Sequence, residues 1–370
     1  MWGSSAIRIA IDIRKYYDFG IGTYIQNLVR ELPALGDNRF VWFVRPADRQ
    51  ALSSLPGGTI VEEPASLYSI RELFTVARRV NALNPDLFHA PHYTLPFRLR
   101  RPSVVTVHDI IHLKFPEYFS PLQRAYASTV IGHACRHATR VITNSMFTRQ
   151  EILSRFPVDE AKIHVTYPGT HCEFFRQTDD ETKNAFRKKY RLEKPYVLYV
   201  GSTKPHKDVG TLLNAMAIVR KTGDIELVCI GERISDNREL LQPAGGIIRS
   251  GALRELGRIP REDLAEGYRC AGAVVLPSRY EGFGSPMVEA MAAGAPAIGA
   301  RGSAISEIVS DGGILFEPGN PAQLADAIGR MLGDRQARAT VTERGRARAG
   351  MFSTKECALR TMAVYESALI

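Results

Sequence analysis

The most informative stretch of the chain is PSRYEGFGSPMVEAMAAGAPAI, residues 277–298. The apolar run AVVLPS (273–278) leads into it and is typical of a buried strand. Two glycines follow, and Ser285 with Pro286 is a favourable N-cap and first position of a helix. The sequence therefore predicts a strand, a glycine-containing loop and a helix whose unpaired N–H groups suit a diphosphate.

Two carboxylates lie in this stretch, Glu281 in the loop and Glu289 in the helix. The helix is otherwise apolar or small on every face, so we expect Glu289 to be buried, where a carboxylate needs a partner. Together the two can accept hydrogen bonds from vicinal hydroxyls of a ribose or a hexose. The alternatives are a helix-dipole charge for Glu289 and a solvated charge in an exposed loop for Glu281.

Outside this stretch, short apolar runs alternate with amphipathic stretches, which is the pattern of parallel sheets with helical crossovers. The runs predict strands at 7–13, 39–44, 85–90, 103–109, 140–145, 162–169, 196–201, 225–231, 273–278 and 295–300. Helices are predicted at 20–35, 68–83, 121–138, 145–156, 209–220, 261–270, 286–293 and 354–369. A Pro-Gly pair and a polar run near 168–183 indicate a linker, which contains the only Asp-Asp pair, at 179–180.

The length of 370 residues suits two domains at about 100–200 residues each. We expect two successive doubly wound α/β domains, at 1–172 and 173–353, with a final helix within 354–370 that returns to the first. Ligands of open parallel sheets bind at the carboxyl ends of the strands. Two such sheets facing one another would form an interdomain cleft, which is the predicted place of the site.

The charge and the cysteines narrow the class of protein. A net charge of +9 favours anionic partners such as phosphorylated ligands, nucleic acid or acidic lipid headgroups. Residues 1–176 contain 21 basic and 15 acidic side chains, against 27 and 24 in the remainder. The five cysteines are far apart, odd in number and form no Cys-x-x-Cys, so they indicate neither a disulfide framework nor a thiolate zinc site and favour a reducing cytoplasm. No apolar run approaches the ~20 residues of a membrane-spanning helix, so we expect a soluble protein that can bind a membrane surface.

The spacing of Glu281 and Glu289 resembles the E-x7-E signature of family 4 retaining glycosyltransferases, which have the GT-B fold. Further segments resemble the family in the family's order: FGIGTYIQNLVREL (19–32), HAPHYTLP (89–96), VVTVHDIIHLKFP (104–116), VITNSMFTRQEI (141–152), VTYPGT (165–170), VLYVGSTKPHKDVGTLLNA (197–215) and GRIPREDLAEGYRCAGAVVLPS (257–278). The resemblance implies two Rossmann-like domains and transfer of a sugar from a nucleotide diphosphate sugar to a hydroxyl.

The resemblance also implies roles for residues of the second half. Glu281 would contact the hydroxyls of the donor sugar, with the Phe283 and Gly284 amides nearby, while Glu289 would hold the ribose. The helix start at Ser285 and the segment containing Ile259 would complete the donor site.

Lys207 resembles the family lysine that neutralises the departing diphosphate, a role that requires a cation as charge develops. The ordinary alternative is a solvated surface lysine. Ser202 stands where the family often has an arginine. Lys204, His206 and Arg279 are the candidates for the second positive charge.

In the first half, His108 follows the strand VVTV, where side chains of active sites emerge in parallel sheets. The resemblance makes it the histidine beside the reacting sugar, able to help position the acceptor; the alternative is a core or capping histidine. Gly20 and Gly22 match the family's glycine-rich loop that approaches the donor. Their alternative is a mobile turn before a helix.

The arginines Arg98, Arg100 and Arg101 indicate an acceptor or membrane surface, attracted to anionic lipid or a phosphorylated lipid-linked acceptor, or simply a solvated face. Nucleic acid is not expected, because no zinc-finger or RNA-binding signature occurs. No Asp-x-Asp is present, and His89, His92, His108 and His112 lack the spacing of zinc ligands, so no metal and no other cofactor are expected.

The sequence thus favours a metal-independent, retaining hexosyltransferase of bacterial surface polysaccharide or glycolipid synthesis, on the inner face of the cell membrane. HAPHYTLP and GSTKPHKD resemble enzymes of this class that use mannose, and GDP-mannose is the expected donor. A GT-B phosphorylase, a sugar-nucleotide epimerase and a non-catalytic nucleotide-sugar-binding protein are the competing hypotheses.

Overall fold

A computed structural model describes residues 6–370 of the chain. The chain divides into two compact units after Gly169, three residues before the predicted boundary at 172. The second unit is Thr170–Ser353, and the segment Thr354–Ile370 belongs to the first unit.

The first unit is built on a sheet of seven parallel strands in the order β3-β2-β1-β4-β5-β6-β7. Its strands are β1 (Arg8–Asp12), β2 (Arg39–Val44), β3 (Gly58–Glu62), β4 (Leu87–Ala90), β5 (Ser103–Val107), β6 (Arg140–Thr143) and β7 (Ile163–Val165). Its helices are α1 (Ile21–Glu31), α2 (Glu72–Leu83), α3 (Ile111–Lys114), α4 (Pro121–His137) and α5 (Met146–Arg155), with the last helix of the chain, Thr354–Ser367.

Alternate residues of the strands pack on opposite faces of this sheet, as the pleat requires. Ala10 belongs to a core formed with α2, α4 and α5, whereas Ile9 and Ile11 belong to a core formed with α1 and the last helix. Both faces are thus covered by helices, which explains why the strand sequences are continuously apolar.

The last helix is fixed to the sheet by buried polar contacts as well as apolar ones. The Tyr365 hydroxyl lies 2.6 Å from His89 Nδ1, and His89 Nε2 lies 2.8 Å from Thr106 Oγ1. Burial lowers the pKa of His89 to about 3, so its ring is neutral and serves as a hydrogen-bonding spacer. His89 is therefore a structural residue of the first unit.

The second unit repeats the design with six parallel strands in the order β10-β9-β8-β11-β12-β13. Its strands are β8 (Tyr196–Gly201), β9 (Glu226–Gly231), β10 (Leu253–Gly257), β11 (Ala273–Leu276), β12 (Ala297–Ala300) and β13 (Ile314–Phe316). Its helices are α6 (Cys172–Phe175), α7 (Asp180–Tyr190), α8 (Val209–Val219), α9 (Arg238–Arg249), α10 (Arg261–Arg269), α11 (Ser285–Ala293), α12 (Ser303–Val309), α13 (Pro321–Gly333) and α14 (Arg335–Ala349), so that the final helix is α15 (Thr354–Ser367).

The two parallel sheets confirm the predicted α/β class with two Rossmann-like domains. The prediction lacks the strands β3, β10 and β13 and several helices, among them α7, α9, α12, α13 and α14, and two of its local details are wrong. The polar stretch taken as a linker forms α7, because the Asp179 carboxylate accepts the Thr182 N–H at 2.9 Å and caps the helix. Helix α11 begins one residue earlier than expected, at Ser285: Gly284, in a left-handed conformation (φ 94°), is its N-cap, and the Ser285 side chain makes no capping bond.

Both strand orders reverse direction once, between β1 and β4 in the first sheet and between β8 and β11 in the second. In open α/β sheets ligands bind outside the carboxyl ends of the strands at this switch point. The loops that follow β8 and β11 contain Lys207 and Glu281. No helix within residues 6–370 has the length and apolar character that crossing a membrane requires.

Candidate active site

Lys207 and Glu281 meet at the switch point of the second unit. Lys207 ends a 3₁₀ turn after β8, Glu281 lies in the loop after β11, and their Nζ and Oε1 atoms are 2.7 Å apart. The side chains are only 20% and 13% exposed. The alternative that Lys207 and Glu281 are solvated surface charges is therefore wrong, and so is the view that Glu281 lies in an exposed loop.

The Glu281 carboxylate is held by two donors on one oxygen. Ser278, which is buried at the end of β11, donates its hydroxyl to Oε1 at 2.6 Å, alongside the ammonium of Lys207. The other oxygen, Oε2, has no hydrogen-bond partner within the described residues and is not enclosed. This arrangement leaves one carboxylate oxygen oriented and free to accept a hydroxyl of a ligand.

The second carboxylate, Glu289, lies about one turn into α11. Tyr268 of α10, itself inaccessible to solvent, donates its hydroxyl to Glu289 Oε2 at 2.7 Å. Burial raises the pKa of Glu289 to about 7, opposed by the Tyr268 hydrogen bond and the positive charge of Arg261. The carboxylate expected to need a partner thus has one, and it titrates near neutral pH.

Tyr268→Phe is expected to weaken nucleotide binding about fivefold at pH 7, if Glu289 holds the ribose, because a rise of one unit from a pKa of about 7 lowers the ionised fraction from about one half to about one tenth. The hydroxyl stabilises the charged carboxylate, so its removal raises the pKa of Glu289 further and leaves more of it protonated; one pKa unit is about 1.4 kcal/mol. The pH dependence of the nucleotide Kd measures the effect: the acid limb should move to higher pH. Tyr196→Phe is the matched control, because the Tyr196 hydroxyl donates to the Gly267 carbonyl at 2.7 Å instead. An unshifted pH profile in Tyr268→Phe would contradict this role.

The loop at the start of α11 brings its backbone close to the same edge. Gly284 is buried and takes a positive φ, which a residue with a side chain adopts only with strain. Phe283 is buried, with its ring 5.7 Å from that of Phe352. Since Ser285 does not cap the helix, the first-turn amides lack a side-chain acceptor.

A pocket of about 760 Å³ lies at the carboxyl ends of β8, β9 and β10, a volume typical of ligand sites. Its lining includes Thr203, Lys204, Glu232, Arg233 and Asn237. It does not include Glu281 or Glu289. Sequence reasoning missed Arg233, although its place two residues after the end of β9 is the signal that could have found it.

The candidates for a second positive charge differ in their surroundings. Arg279 pairs with Asp208 at 3.2 Å, and His206 is buried. Lys204 is exposed and has no ion pair or hydrogen bond from its ammonium within the described residues. Ser202 contributes its carbonyl to the Tyr199 hydroxyl at 2.6 Å, and Ile259 follows β10 by two residues.

In the first unit, His108 directly follows β5, as predicted. Its Nε2 lies 2.9 Å from the Pro91 carbonyl, and its ring lies edge-on to Tyr24 with centroids 5.1 Å apart. Burial lowers the pKa of His108, so the ring is neutral, with the proton on Nε2 and Nδ1 left as an acceptor. His108 can therefore accept a hydroxyl hydrogen bond at neutral pH.

Gly20, the N-cap of α1, and Gly22, its second residue, lack a side chain for different structural reasons. Gly20 has φ 56°, and the space where a side chain would project is open. At Gly22, a Cβ would lie 2.6 Å from the carbonyl oxygen of Tyr16, so its absence is already required by packing within the loop. Only Gly20 leaves room for a ligand.

The histidines considered as metal ligands are used elsewhere. The His92 ring lies against that of Tyr93, with centroids 3.9 Å apart and the planes tilted by 40°, and burial lowers the pKa of His92 well below the usual value. No group of three or more potential ligand side chains within residues 6–370 is arranged to hold a metal. Of the arginine cluster, Arg101 is 3.9 Å from Asp86, whereas the guanidinium groups of Arg98 and Arg100 have no ion pair within those residues.

The structure also contains a buried charge network that sequence reasoning missed. Arg14, just beyond β1, is 1% exposed, and its Nη2 lies 2.6 Å from both Asp12 Oδ2 and Glu72 Oε1. Its Nη1 donates to the Ala65 carbonyl at 2.9 Å. The network connects the end of β1 to α2.

Comparison with known proteins agrees with this geometry. The family model described as Glycosyltransferase Family 4 matches residues 20–174, and that described as Glycosyl transferases group 1 matches residues 180–348. The O-antigen chain mannosyltransferase B of Escherichia coli is 30% identical over 76% of this chain and 74% of its own length. O-antigen chain mannosyltransferase RfbU of Salmonella typhimurium is 28% identical over 67% and 68%.

Among solved structures, the sucrose-phosphate synthase of Thermosynechococcus elongatus has a TM-score of 0.80 at 23% identity and covers 97% of this chain and 98% of its own. Alr3699/HepE of Anabaena, solved with UDP and glucose, has a TM-score of 0.78 at 21% identity, with coverages of 98% and 100%. These likenesses confirm the GT-B fold. The two family models and the Escherichia coli relative establish that the chain belongs to the family 4 glycosyltransferases, within the glycosyl transferases group 1.

Proposed function

We propose that this glycosyltransferase moves mannose from GDP-mannose, with retention of the anomeric configuration, to a hydroxyl of a glycan or lipid-linked saccharide in bacterial surface polysaccharide synthesis. The observation that carries the proposal is the Lys207–Glu281 pair on the two loops that flank the switch point. The names of the relatives, two O-antigen chain mannosyltransferases, support the sugar and the polymer.

The geometry suits a reaction in which negative charge develops on a departing diphosphate. Lys207 holds one of its hydrogens toward Glu281, so its remaining hydrogens can reach phosphate oxygens. The free Oε2 of Glu281 accepts a hydroxyl of the hexose, and Glu289 accepts hydroxyls of the ribose. Orientation and preplaced charge then lower the barrier without a protein nucleophile.

Lys204 is our candidate for the second positive charge, since Arg279 is already paired and His206 is buried. With Lys207, Lys204 and the start of α11 as its electropositive groups, the donor site needs no metal ion in this proposal. Transfer that persists at full rate in EDTA is the expected result, and restoration by a divalent cation would contradict it.

In the first unit, the unprotonated Nδ1 of His108 accepts a hydrogen bond from a hydroxyl of the donor hexose or of the acceptor. Arg98 and Arg100 attract a phosphorylated acceptor or an anionic membrane surface, whereas Arg101 is engaged by Asp86. All five cysteines are free thiols, four of them buried, which supports a reducing cytoplasm as the compartment.

A thermal-shift panel of nucleotides and nucleotide sugars tests the donor. GDP-mannose at about 100 times its Kd should stabilise the chain by about 2.7 kcal/mol, and UDP-glucose should do so less. A second arm incubates GDP-mannose with a mannose-terminated acceptor and follows the product by NMR, where an axial glycosidic bond demonstrates retention.

The contrary outcomes identify the competing activities. Consumption of the donor with phosphate but without acceptor would indicate a phosphorylase, and a changed sugar without transfer would indicate an epimerase. Binding of nucleotide without any turnover would indicate a binding protein. A panel in which UDP-glucose stabilises most would replace mannose and guanosine while leaving the site assignment intact.

A further inference from the structure

The basic excess of the first unit is concentrated on one of its two helical layers. On the layer of α2, α4 and α5 and the loop that follows β4, several guanidinium groups have no partner within the described residues: Arg78, Arg98, Arg100, Arg136 and Arg155. On the opposite layer, Arg30 of α1 pairs with Glu31 and Arg360 of α15 pairs with Glu356. The uncompensated positive potential therefore belongs to the α2–α4–α5 layer.

That layer contains a pocket of about 550 Å³ between α4 and the end of α5. The side chains that line it are basic, hydroxyl-bearing or aromatic, and none is acidic: Phe97, Ser128, Thr129, His133, Arg136, Arg155 and Phe156, with Gly132. A pocket with two free guanidinium groups and no carboxylate is suited to a multiply charged oxyanion.

The interior of the pocket is shaped by Gly132 and two rings. A Cβ at Gly132 would lie 3.3 Å from the ring of Phe156, so the glycine admits this ring against α4. On the other side, Phe97 lies edge-on to His133 with centroids 4.2 Å apart. His133 Nε2 is buried and has no hydrogen-bond partner within the described residues. The pocket therefore contains the buried Nε2 atom of His133 and the two aromatic rings in addition to the two arginines.

The pKa of His133 is lowered, as expected for a histidine that is partly buried and surrounded by positive charge. Burial lowers the pKa of His133 to about 4, and the neighbouring His137 and Arg136 lower it as well, while the Pro96 carbonyl opposes them. His137 lies with its ring centroid 4.6 Å from that of His133.

The pocket is separate from the candidate active site. Helix α4 begins at Pro121 near the carboxyl edge of the sheet, and His133 lies 12 residues further on, a rise of about 18 Å. Exposed apolar side chains are present on the same layer of the unit: Ile70 is 72% exposed and Phe74 45%. The Phe74 ring lies 5.6 Å from Phe97, so this apolar surface is continuous with the pocket.

We propose that this pocket binds the phosphomonoester headgroup of a membrane lipid. Arg136 and Arg155 hold the phosphoryl oxygens, the hydroxyls of Ser128 and Thr129 donate to them, and Phe97 and Phe156 contact the carbon atoms beyond the ester oxygen. A dianionic monoester matches two guanidinium groups better than a monoanionic diester. The exposed apolar side chains and the free Arg98 and Arg100 beside it favour a lipid in a membrane over a soluble phosphate.

Vesicle co-sedimentation of the full chain tests the proposal without sugar transfer, so its failure is distinct from failure of the proposed function. The vesicles are phosphatidylcholine alone, or with phosphatidic acid, or with phosphatidylglycerol, and glycerol 3-phosphate is the soluble competitor. Binding to phosphatidic acid should exceed binding to phosphatidylglycerol. Arg136→Ala/Arg155→Ala should weaken it about 30-fold, from roughly one unit charge's attraction per arginine.

Two further variants separate the pocket from general charge. Arg30→Ala/Arg360→Ala removes the same charge from the opposite layer and should weaken binding less than about threefold, since charges beyond about 10 Å are screened. Thr129→Trp fills the pocket without changing charge and should abolish the preference for phosphatidic acid. Equal losses in both double variants, or a preference that survives Thr129→Trp, would overturn the pocket. Binding of glycerol 3-phosphate without any vesicle binding would overturn the lipid as its occupant.

Discussion

Replacing Lys207 by methionine is expected to lower kcat/KM for sugar transfer about 10²- to 10³-fold, the effect of removing one charge-stabilising donor from an active site. Methionine keeps the length of the side chain and removes the ammonium that lies 2.7 Å from Glu281. The loss should appear mainly in kcat, because the ammonium interacts most strongly with the diphosphate as it departs.

Glu281→Gln measures the other half of the pair. The amide keeps the shape of the carboxylate but loses the charge that orients Lys207, so we expect a loss similar to that of Lys207→Met. The double variant Lys207→Met/Glu281→Gln should be less impaired than the product of the two single losses, since groups acting as a unit are not additive. Strict additivity in this cycle would show that the two side chains act independently.

Lys194→Met is the matched control for this cycle. Lys194 pairs with Asp224 at 2.7 Å, but both side chains are largely exposed and lie outside the site. Its replacement should leave kcat/KM within about twofold, as exposed pairs contribute about 0–1 kcal/mol. If Lys207→Met were equally mild, the assignment of the diphosphate to this loop would be wrong.

Sequence reasoning found the strands that carry the site because their buried runs are continuous and end in glycine or in a polar residue. The runs before His108 and Glu281, for instance, became β5 and β11. It missed β3, β10 and β13, which are strands of three to five residues at the sheet edges, where less of the sequence is apolar. Helix α7 was missed because its exposed surface is highly charged, and only Phe186 faces the core.

The side-chain partners were beyond the reach of the sequence. Nothing in the spacing of Lys207 and Tyr268 indicates that they contact Glu281 and Glu289, because the members of each pair lie on different crossover units. Lys207 meets Glu281 because β8 lies beside β11 in the sheet. That strand order depends on the packing of the whole sheet and cannot be inferred from either segment alone.

Arg14 is the clearest case of a residue whose side-chain partners could not be predicted from the sequence. Its replacement is also expected to have the largest effect on stability. In the sequence, Arg14 and Lys15 follow an apolar strand and have the pattern of solvated charges. In the structure the Arg14 guanidinium is enclosed, with both nitrogen atoms of one edge on Asp12: Nε at 2.9 Å and Nη2 at 2.6 Å. Arg14→Leu would leave Asp12 and Glu72 as two uncompensated buried carboxylates.

We expect Arg14→Leu to lower the free energy of unfolding of the first unit by about 3–5 kcal/mol at pH 8, the range for breaking a buried ion pair. Because typical domains are stable by only about 5–15 kcal/mol, much of this unit's stability would be lost. Urea unfolding followed by tryptophan fluorescence measures it selectively, since the two tryptophans of the chain, Trp2 and Trp42, both precede the second unit, and Trp42 is buried in β2.

The pH dependence distinguishes loss of the ion pair from loss of packing. Burial already raises the pKa of Glu72 to about 7 with Arg14 in place. Without the guanidinium, that pKa rises further above its unfolded value, so the variant's stability is retained at low pH and lost as pH increases through the folded pKa. The difference from the unaltered chain should therefore be smaller at pH 5 than at pH 8. Arg45→Leu, which breaks the half-exposed pair with Asp48, should cost about 0–1 kcal/mol at either pH. A deficit in Arg14→Leu that does not change with pH would mean that Arg14 stabilises the unit by packing alone.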